Sequence, residues 1–446
     1  MQARLFVAPF ERRIAGCAIL LLTLAVALAG AACGGGDDEG GEETATPGAT
    51  GTAAATGAAA PSGTAAPAAE VPGITPTEIV LGLHTPLTGG LGAVYAQMVK
   101  APEAYYNYVN EEKGGVCGRK IVLKVTDDGA DPSRALEAAR KLVEQDKIFA
   151  MVGSPSTVHG AVWEYLNQQG VPDLLIMTGD HKFASDPEGH PWSTQMPPDY
   201  MVEGAFFGRY ISENYPGKKV AVFYENTDFG LDGLAGVKNG LDSAKNELVS
   251  EQPYDVSAIE IRSQVANMKE AGAEVAVLYS SIGFTAQALR AAKTLNWAPQ
   301  FIANYINGDD LLFQFVPADV AEGIISFSGF KRVDATDDPA VAEHRRIMNQ
   351  YGGPPPGSFT AIGQVLAELM VEILSRSCDN LTREGVMEAA TSIDQWRSEM
   401  MVEGATVTMT KEDLRAIEMG PMERAVVENG KARWEYFGPL WDFNEE

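Results

Sequence analysis

The chain has 446 residues, 45% of them hydrophobic and 21% charged, with a formal net charge of -26. That length allows two or three domains and a sizeable core. The charge excludes phosphate backbones and anionic membrane surfaces as partners, because both need clustered Lys and Arg, and no basic run follows the first thirteen residues.

Arg4, Arg12 and Arg13 precede an apolar stretch from Ile14 to Ala32, which ends at Cys33. A basic start, a short apolar core and small residues before a cut site make an export signal, so residues 1–32 are expected to be removed. Leu28-Ala29-Gly30-Ala31-Ala32-Cys33 resembles a lipoprotein box, with Gly30 where Leu usually stands. Cys33 would then carry the lipid and become the new N-terminus. Residues 33–73 comprise that lipidated end and a Gly-, Ala-, Thr- and Pro-rich run with little to bury, expected to form a disordered tether. Cys117 and Cys378 remain as an even pair in an oxidising compartment, where a disulfide is allowed.

From Ile74 onward, short apolar runs alternate with amphipathic helices. Strands are predicted at Glu78–Leu83, Lys120–Thr126, Ile148–Val152 and Asp173–Met177. Helices fall between them at Tyr95–Glu112, Pro132–Gln145 and Val158–Gln169. After Pro197 the alternation resumes with helix Tyr200–Asn214, strand Lys219–Tyr224, helix Leu231–Leu248 and strand Val275–Tyr279. Helix Thr285–Leu295 and strand Gln300–Ala303 follow. These spacings give parallel sheets covered on both faces, and two successive sets give two doubly wound α/β lobes. Gly323–Gly329 reads as a further strand and Phe359–Ser377 as a long helix. The tail from Ala405 alternates like antiparallel strands that complete a lobe already begun.

In open parallel sheets, ligands bind beyond the carboxyl ends of the strands. That rule selects residues 85–92, 153–157 and 178–181 in the first lobe, and 225–230, 279–284 and 304–307 in the second. Backbone amides after Gly153-Ser154-Pro155-Ser156-Thr157 could hold a carboxylate at a helix start; capping by Ser156 or Thr157 explains the same residues. Catalytic chemistry is not legible. Gly89-Gly90-Leu91-Gly92 lacks dinucleotide spacing, and the five His are scattered, so no cofactor and no metal are expected. Asp127-Asp128 and Asp309-Asp310 read as solvated loop carboxylates rather than an acid/base pair. The chain is expected not to be an enzyme.

Four segments carry a family resemblance: Pro86-Leu87-Thr88-Gly89, Gly114 through Ile121, Asp127 through Pro132, and Asp228-Phe229-Gly230. In their order and spacing the chain resembles the type I periplasmic binding proteins of the leucine/isoleucine/valine branch. The resemblance implies two lobes joined by a three-crossover hinge, with crossovers near Gln195-Met196, Phe327–Gly329 and Met400–Glu403. Lobe 1 would be residues 74–195 plus 329–400, and lobe 2 residues 196–328 plus 401–446. The long helix ending at Cys378 would then share lobe 1 with Cys117, which implies their disulfide.

The resemblance also implies a site. Ser154, Ser156 and Thr157 would form the anion-binding turn, and Gly179, Asp180 and His181 the loop that grips a ligand's carboxylate and amino group. Phe229 would cover the ligand. Ile282 and Tyr305 stand where a second aromatic and an acidic partner of the amino group are usual, so that acidic partner is missing unless Asp180 replaces it. Tyr279, Phe284 and Tyr305 would suit a flatter ligand. The implied function is an extracytoplasmic solute-binding lipoprotein of an ABC importer, a monomer at the outer face of the cytoplasmic membrane. It would capture a branched-chain amino acid or a related amide or carboxylate and deliver it to a permease, with no nucleic-acid partner. A ligand sensor for a membrane receptor, or an enzyme on the same two-lobed fold, remain the alternatives.

Overall fold

The structure, a computed structural model, describes residues 70–89 and 92–444. The export signal, Cys33 and the tether as far as residue 69 lie outside the described residues. The folded body starts slightly before Ile74: the Ile74 N–H donates to the Val71 carbonyl, and the Val80 N–H donates to that of Gly73.

The first lobe is built from β1 (Glu78–Thr85), α1 (Gly92–Glu112), β2 (Lys120–Asp127), α2 (Pro132–Arg140), β3 (Ala150–Val152), α3 (Gly160–Gln168), β4 (Asp173–Ile176) and β5 (Ser193–Gln195). Its five strands are ordered β2-β1-β3-β4-β5, and all pair in parallel. Helices cover both faces, so the middle strands are buried on both sides and read as unbroken apolar runs such as Ala150-Met151-Val152. Asp131 caps α2 by accepting from the Arg134 N–H, with Pro132 at the first helical position.

The second lobe opens with α4 (Tyr200–Asn214), β6 (Lys219–Glu225), α5 (Asp228–Gly240), β7 (Glu247–Tyr254), α6 (Arg262–Glu270), β8 (Val275–Tyr279), α7 (Ile282–Thr294) and β9 (Gln300–Ala303). Short helices α8 (Leu312–Phe315) and α9 (Ala318–Ala321) lead to β10 (Ile325–Phe327). The chain then adds α10 (Pro339–Gln350), α11 (Ser358–Arg376), α12 (Arg383–Ala390), β11 (Ile393–Trp396) and β12 (Val407–Met409), whose apolar residues join the first lobe's core cluster. It ends in β13 (Met419–Glu428) and β14 (Lys431–Asp442). These last strands extend the second sheet, ordered β14-β13-β10-β9-β8-β6-β7, with β13 antiparallel to β10 and β14. The tail therefore completes lobe 2.

Two expectations need correction here. The helix expected over Leu231–Leu248 stops at Gly240, and Glu247 begins β7. As an edge strand, β7 needs little apolar surface, so its residues ELVSEQPY carried a weak signal. The third crossover also lies later than Met400–Glu403. That segment instead runs beside the second crossover: the Lys331 N–H donates to the Met400 carbonyl and the Val402 N–H to that of Gly329. The chain passes into lobe 2 at residues 414–419. There the Gln195 N–H donates to the Leu414 carbonyl, and the Ala416 and Ile417 N–H groups donate to Gln195 and Met196.

Two close contacts set the frame around the cleft. Helices α4 and α5 cross so tightly that a Cβ on Gly236 would stand 2.2 Å from the Met201 carbonyl oxygen. Cys117, after α1, is disulfide-bonded to Cys378, which follows α11. That bond ties the start of lobe 1 to the segment that returns to it after lobe 2.

Candidate functional site

The first wall is laid down by the carboxyl ends of β1, β2 and β3. Gly153 turns the chain at φ +58°, where a Cβ would sit 2.5 Å from Leu366 Cδ1, so glycine is required. The turn brings Ser156 to Asp128, and the Ser156 hydroxyl donates to Asp128 Oδ2 at 2.7 Å. The same oxygen lies 2.8 Å from His84 Nδ1. His84 Nε2 stands 2.9 Å from His159 Nδ1, and His159 Nε2 is 2.7 Å from Asp173 Oδ2. Ser154 accepts the His84 backbone N–H at 3.3 Å. His84, Asp128, Ser154 and Asp173 are all fully buried.

This Asp–His–His–Asp chain corrects two readings. Asp128 is not a solvated loop carboxylate, and His84 and His159 are not scattered. Each of the three contacts in the chain needs one hydrogen between its heavy atoms. Burial alone would raise the Asp128 carboxyl, but hydrogen bonds from His84, Ser156 and the Ala130 N–H outweigh it and hold Asp128 below its ordinary range. Burial pushes His84 down.

The second element of this wall is the loop after β4. Leu175, in β4, is held at φ +57°, and its N–H donates to the Thr194 hydroxyl oxygen at 2.8 Å. Gln195 braces that loop, its Nε2 donating to the Thr178 and Asp180 carbonyls at 2.8 and 2.9 Å. Gly179 is buried, and its carbonyl accepts the Tyr200 N–H at 2.8 Å. Burial pushes the Asp180 carboxyl up to about 6, with Asp232 and Asp228 adding to it against Lys182. His181 is half-buried; its Nδ1 lies 2.7 Å from Asp199 Oδ2, which raises the imidazole above its usual value.

At the rim this loop touches the other lobe. The His181 N–H donates to Asp232 Oδ2 at 2.9 Å, and Lys182 Nζ reaches Asp228 Oδ2 at 2.7 Å, both on α5. Tyr95, in the first turn of α1, is pushed up to about 12 by burial and then by Asp128, Glu225 and Asp180. Because Glu225 belongs to lobe 2, Tyr95 stands between the two walls.

The second wall is aromatic. Tyr200 packs edge-on against Phe229, with centroids 4.7 Å apart, and stacks with Tyr305 at 6.1 Å. Glu203, on α4, is fully buried behind them; its Oε1 accepts the Tyr305 N–H at 2.7 Å, and its Oε2 lies 3.1 Å from the Tyr279 hydroxyl. Burial pushes this carboxyl up to about 8. Tyr279 and Ile282 do not face an open cleft. Tyr279 is fully buried, its hydroxyl hydrogen-bonded to the Tyr200 carbonyl, and Ile282 packs in the core around α7. Thr157 is exposed, whereas Ser154 and Ser156 are buried. A shallow depression of about 200 Å³ lined by Ile261, Arg262, Gln287 and Arg290 includes no residue of these loops.

Tyr95, Glu203 and the His84–His159 pair escaped the sequence reading. The loop rule stopped at Gly92, one turn short of Tyr95. Glu203 sits within a helix whose aromatic residues look like ordinary core. The histidine partners lie 44, 75 and 14 residues apart, and only the strand order joins them.

Two doubly wound lobes, with loops from both meeting across one cleft, define a hinged ligand-binding fold. Residues 78–431 match the periplasmic binding protein family, and the chain belongs to it. Among curated relatives, Leu/Ile/Val-binding protein homolog 2 of Brucella abortus is 28% identical over 204 residues, which cover 46% of this chain and 54% of the relative. The chain thus spans about half the length of that relative. Among solved structures, a branched-chain amino acid ABC transporter protein from Thermus thermophilus with bound valine superposes with a TM-score of 0.71 at 19% identity, covering 81% of this chain and 97% of that one. A solute-binding protein of an ABC transporter from Rhodopseudomonas palustris, in complex with 3,4-dihydroxybenzoic acid, superposes at 0.69 with 19% identity, covering 82% and 97%. These likenesses show the fold.

Proposed function

We propose that this protein is an extracytoplasmic solute-binding lipoprotein of an ABC importer, which encloses a small organic solute between its lobes and presents it to a permease. The observation that carries the reading is the pair of walls meeting at the rim through His181–Asp232 and Lys182–Asp228. Contacts from both lobes are what allow a bound solute to favour the closed form over the open one. The export signal and Cys33 supply the route out of the cell and the anchor. Relatives named for leucine, isoleucine and valine, and solved structures holding valine and a dihydroxybenzoate, support capture of amino acids or related small molecules.

A thermal-shift screen of the purified protein against amino acids, amides, amines and aromatic acids tests this reading. A solute that binds only the folded state raises the melting temperature by mass action. Phe229→Ala is expected to weaken such a solute while leaving the ligand-free melting temperature close to that of the parent. Unchanged affinity removes Phe229 from the site, and no shift with any class defeats the capture reading.

A further inference from the structure

The buried chain behind the first wall joins both ends of the strand-end turn. At one end His84, on β1, holds the turn twice: its backbone N–H donates to Ser154 Oγ at 3.3 Å, and its ring reaches the Ser156 hydroxyl through Asp128. At the other end His159, at the start of α3, closes the turn, its backbone N–H donating to the Ser156 carbonyl at 3.1 Å. The two rings lie near-parallel with centroids 5.1 Å apart, and 2.9 Å separates His84 Nε2 from His159 Nδ1.

Two ionised carboxylates and two neutral imidazoles bring only two hydrogens to the three contacts of this chain. Each carboxylate keeps its imidazole N–H, because charge-assisted hydrogen bonds are the stronger ones. The contact left empty is then the one between the rings, where two lone pairs face each other. A third hydrogen, taken up as pH falls, fills it. Burial opposes that uptake at His84, and Asp128 and Asp173 favour it. Tyr95, on α1, faces Asp128 but stays neutral, its hydroxyl pushed up to about 12 by burial. His159 packs edge-on against Phe183, and the neighbouring Lys182 is paired with Asp228 at 2.7 Å. We propose that His84 and His159 are positioning residues for solute capture: a hydrogen between their rings staples the turn at residues 153–159 into the first wall, and the staple opens as pH rises. The inference rests on the capture reading above and adds a protonation state to its grip.

NMR of the histidine ring nitrogens and of the Ser154, Ser156 and Thr157 amides, run on the purified protein from about pH 5 to about pH 8, tests it without any solute. The rings are expected to lose one hydrogen as pH rises, and the three amides to shift with the same midpoint. Rings that keep their hydrogens across the range, or amides that stay still while the rings titrate, overturn the inference. His159→Asn replaces the titrating ring by an amide whose Nδ2 can always donate to His84 Nε2, so the turn should cease to follow pH. Should this variant not fold, the parent's titration decides alone. Calorimetry with valine and with 3,4-dihydroxybenzoate reads the grip itself. Over the same range the parent is expected to lose about tenfold in affinity relative to His159→Asn, on the order of one weakened contact. Taking the ratio cancels Asp180 and His181, which titrate in both proteins. Parallel affinity profiles overturn the inference and leave solute capture standing. Silence from both solutes counts against capture of these two classes, and the shifts of the turn still decide the inference.

Discussion

Glu203 offers the sharpest energetic test. Its carboxyl is fully buried, with one oxygen accepting the Tyr305 N–H and the other beside the Tyr279 hydroxyl, which itself donates to the Tyr200 carbonyl. A protonated Glu203 satisfies all of these groups, since its own O–H can donate to the tyrosine oxygen. Its ordinary value is 4.5, and burial raises it to about 8 in the folded protein. Below the lower value the side chain is protonated in folded and unfolded chains alike. Above it the unfolded chain ionises while the folded chain does not, so stability falls as pH rises, until the folded carboxyl ionises as well.

At about 1.4 kcal/mol per unit, the loss between about pH 5 and about pH 8 comes to roughly 3–4 kcal/mol. Glu203→Gln keeps the shape: its oxygen accepts from Tyr305 N–H, and its amide nitrogen donates to Tyr279. It cannot ionise. Urea unfolding of both proteins across that range should show the variant gaining on the parent by about 3 kcal/mol as pH rises. Curves that run parallel would refute a neutral Glu203.

Three further outcomes follow from the packing. Reducing the Cys117–Cys378 bond, which closes a separation of 261 residues, should cost about 2–5 kcal/mol and lower the melting temperature in reductant; identical melting with and without reductant would count against a stabilising bond. Gly153→Ala places a Cβ 2.5 Å from Leu366 at a positive φ, and should lower the unfolding free energy by more than about 1 kcal/mol; an unmoved denaturation midpoint would mean that the turn relaxes freely. His84→Ala removes one of the buried partners of Asp128, which keeps Ser156, and leaves His159 Nδ1 unpaired, and should cost about 3–5 kcal/mol. A double-mutant cycle with Asp128→Asn should be non-additive, and strict additivity would break the proposed coupling.

The alternation of apolar runs with amphipathic helices made both lobes legible, because each middle strand is buried on two faces and announces itself. Edge elements did not. The half-exposed strand β7 buries too little to leave a pattern, the buried β5 is three polar residues long, and the end of α5 at Gly240 was overrun. The loops at strand ends were found by a topological rule that needs no side-chain detail, so Ser156, Asp180 and Phe229 were singled out. Which of those side chains face one another depends on strand order and helix rotation, and neither has a local signature. Tyr279 was therefore read as lining although it is core, and Glu203 was passed over although it braces the aromatic wall.

The hinge also has a mechanical character. Residues 195–196 and 414–417 run side by side as hydrogen-bonded neighbours, and residues 329–331 are laced to residues 400–402. A lone strand can twist about its own axis at little cost, but a ribbon of two bonded strands twists only by straining the bonds between them. Two of the three crossings thus form one ribbon, and the other is braced by a segment of lobe 1, so the lobes are not joined by three independent threads. Flexing perpendicular to the ribbon remains the soft direction, so opening should follow a single arc and return each wall to the same register on every cycle.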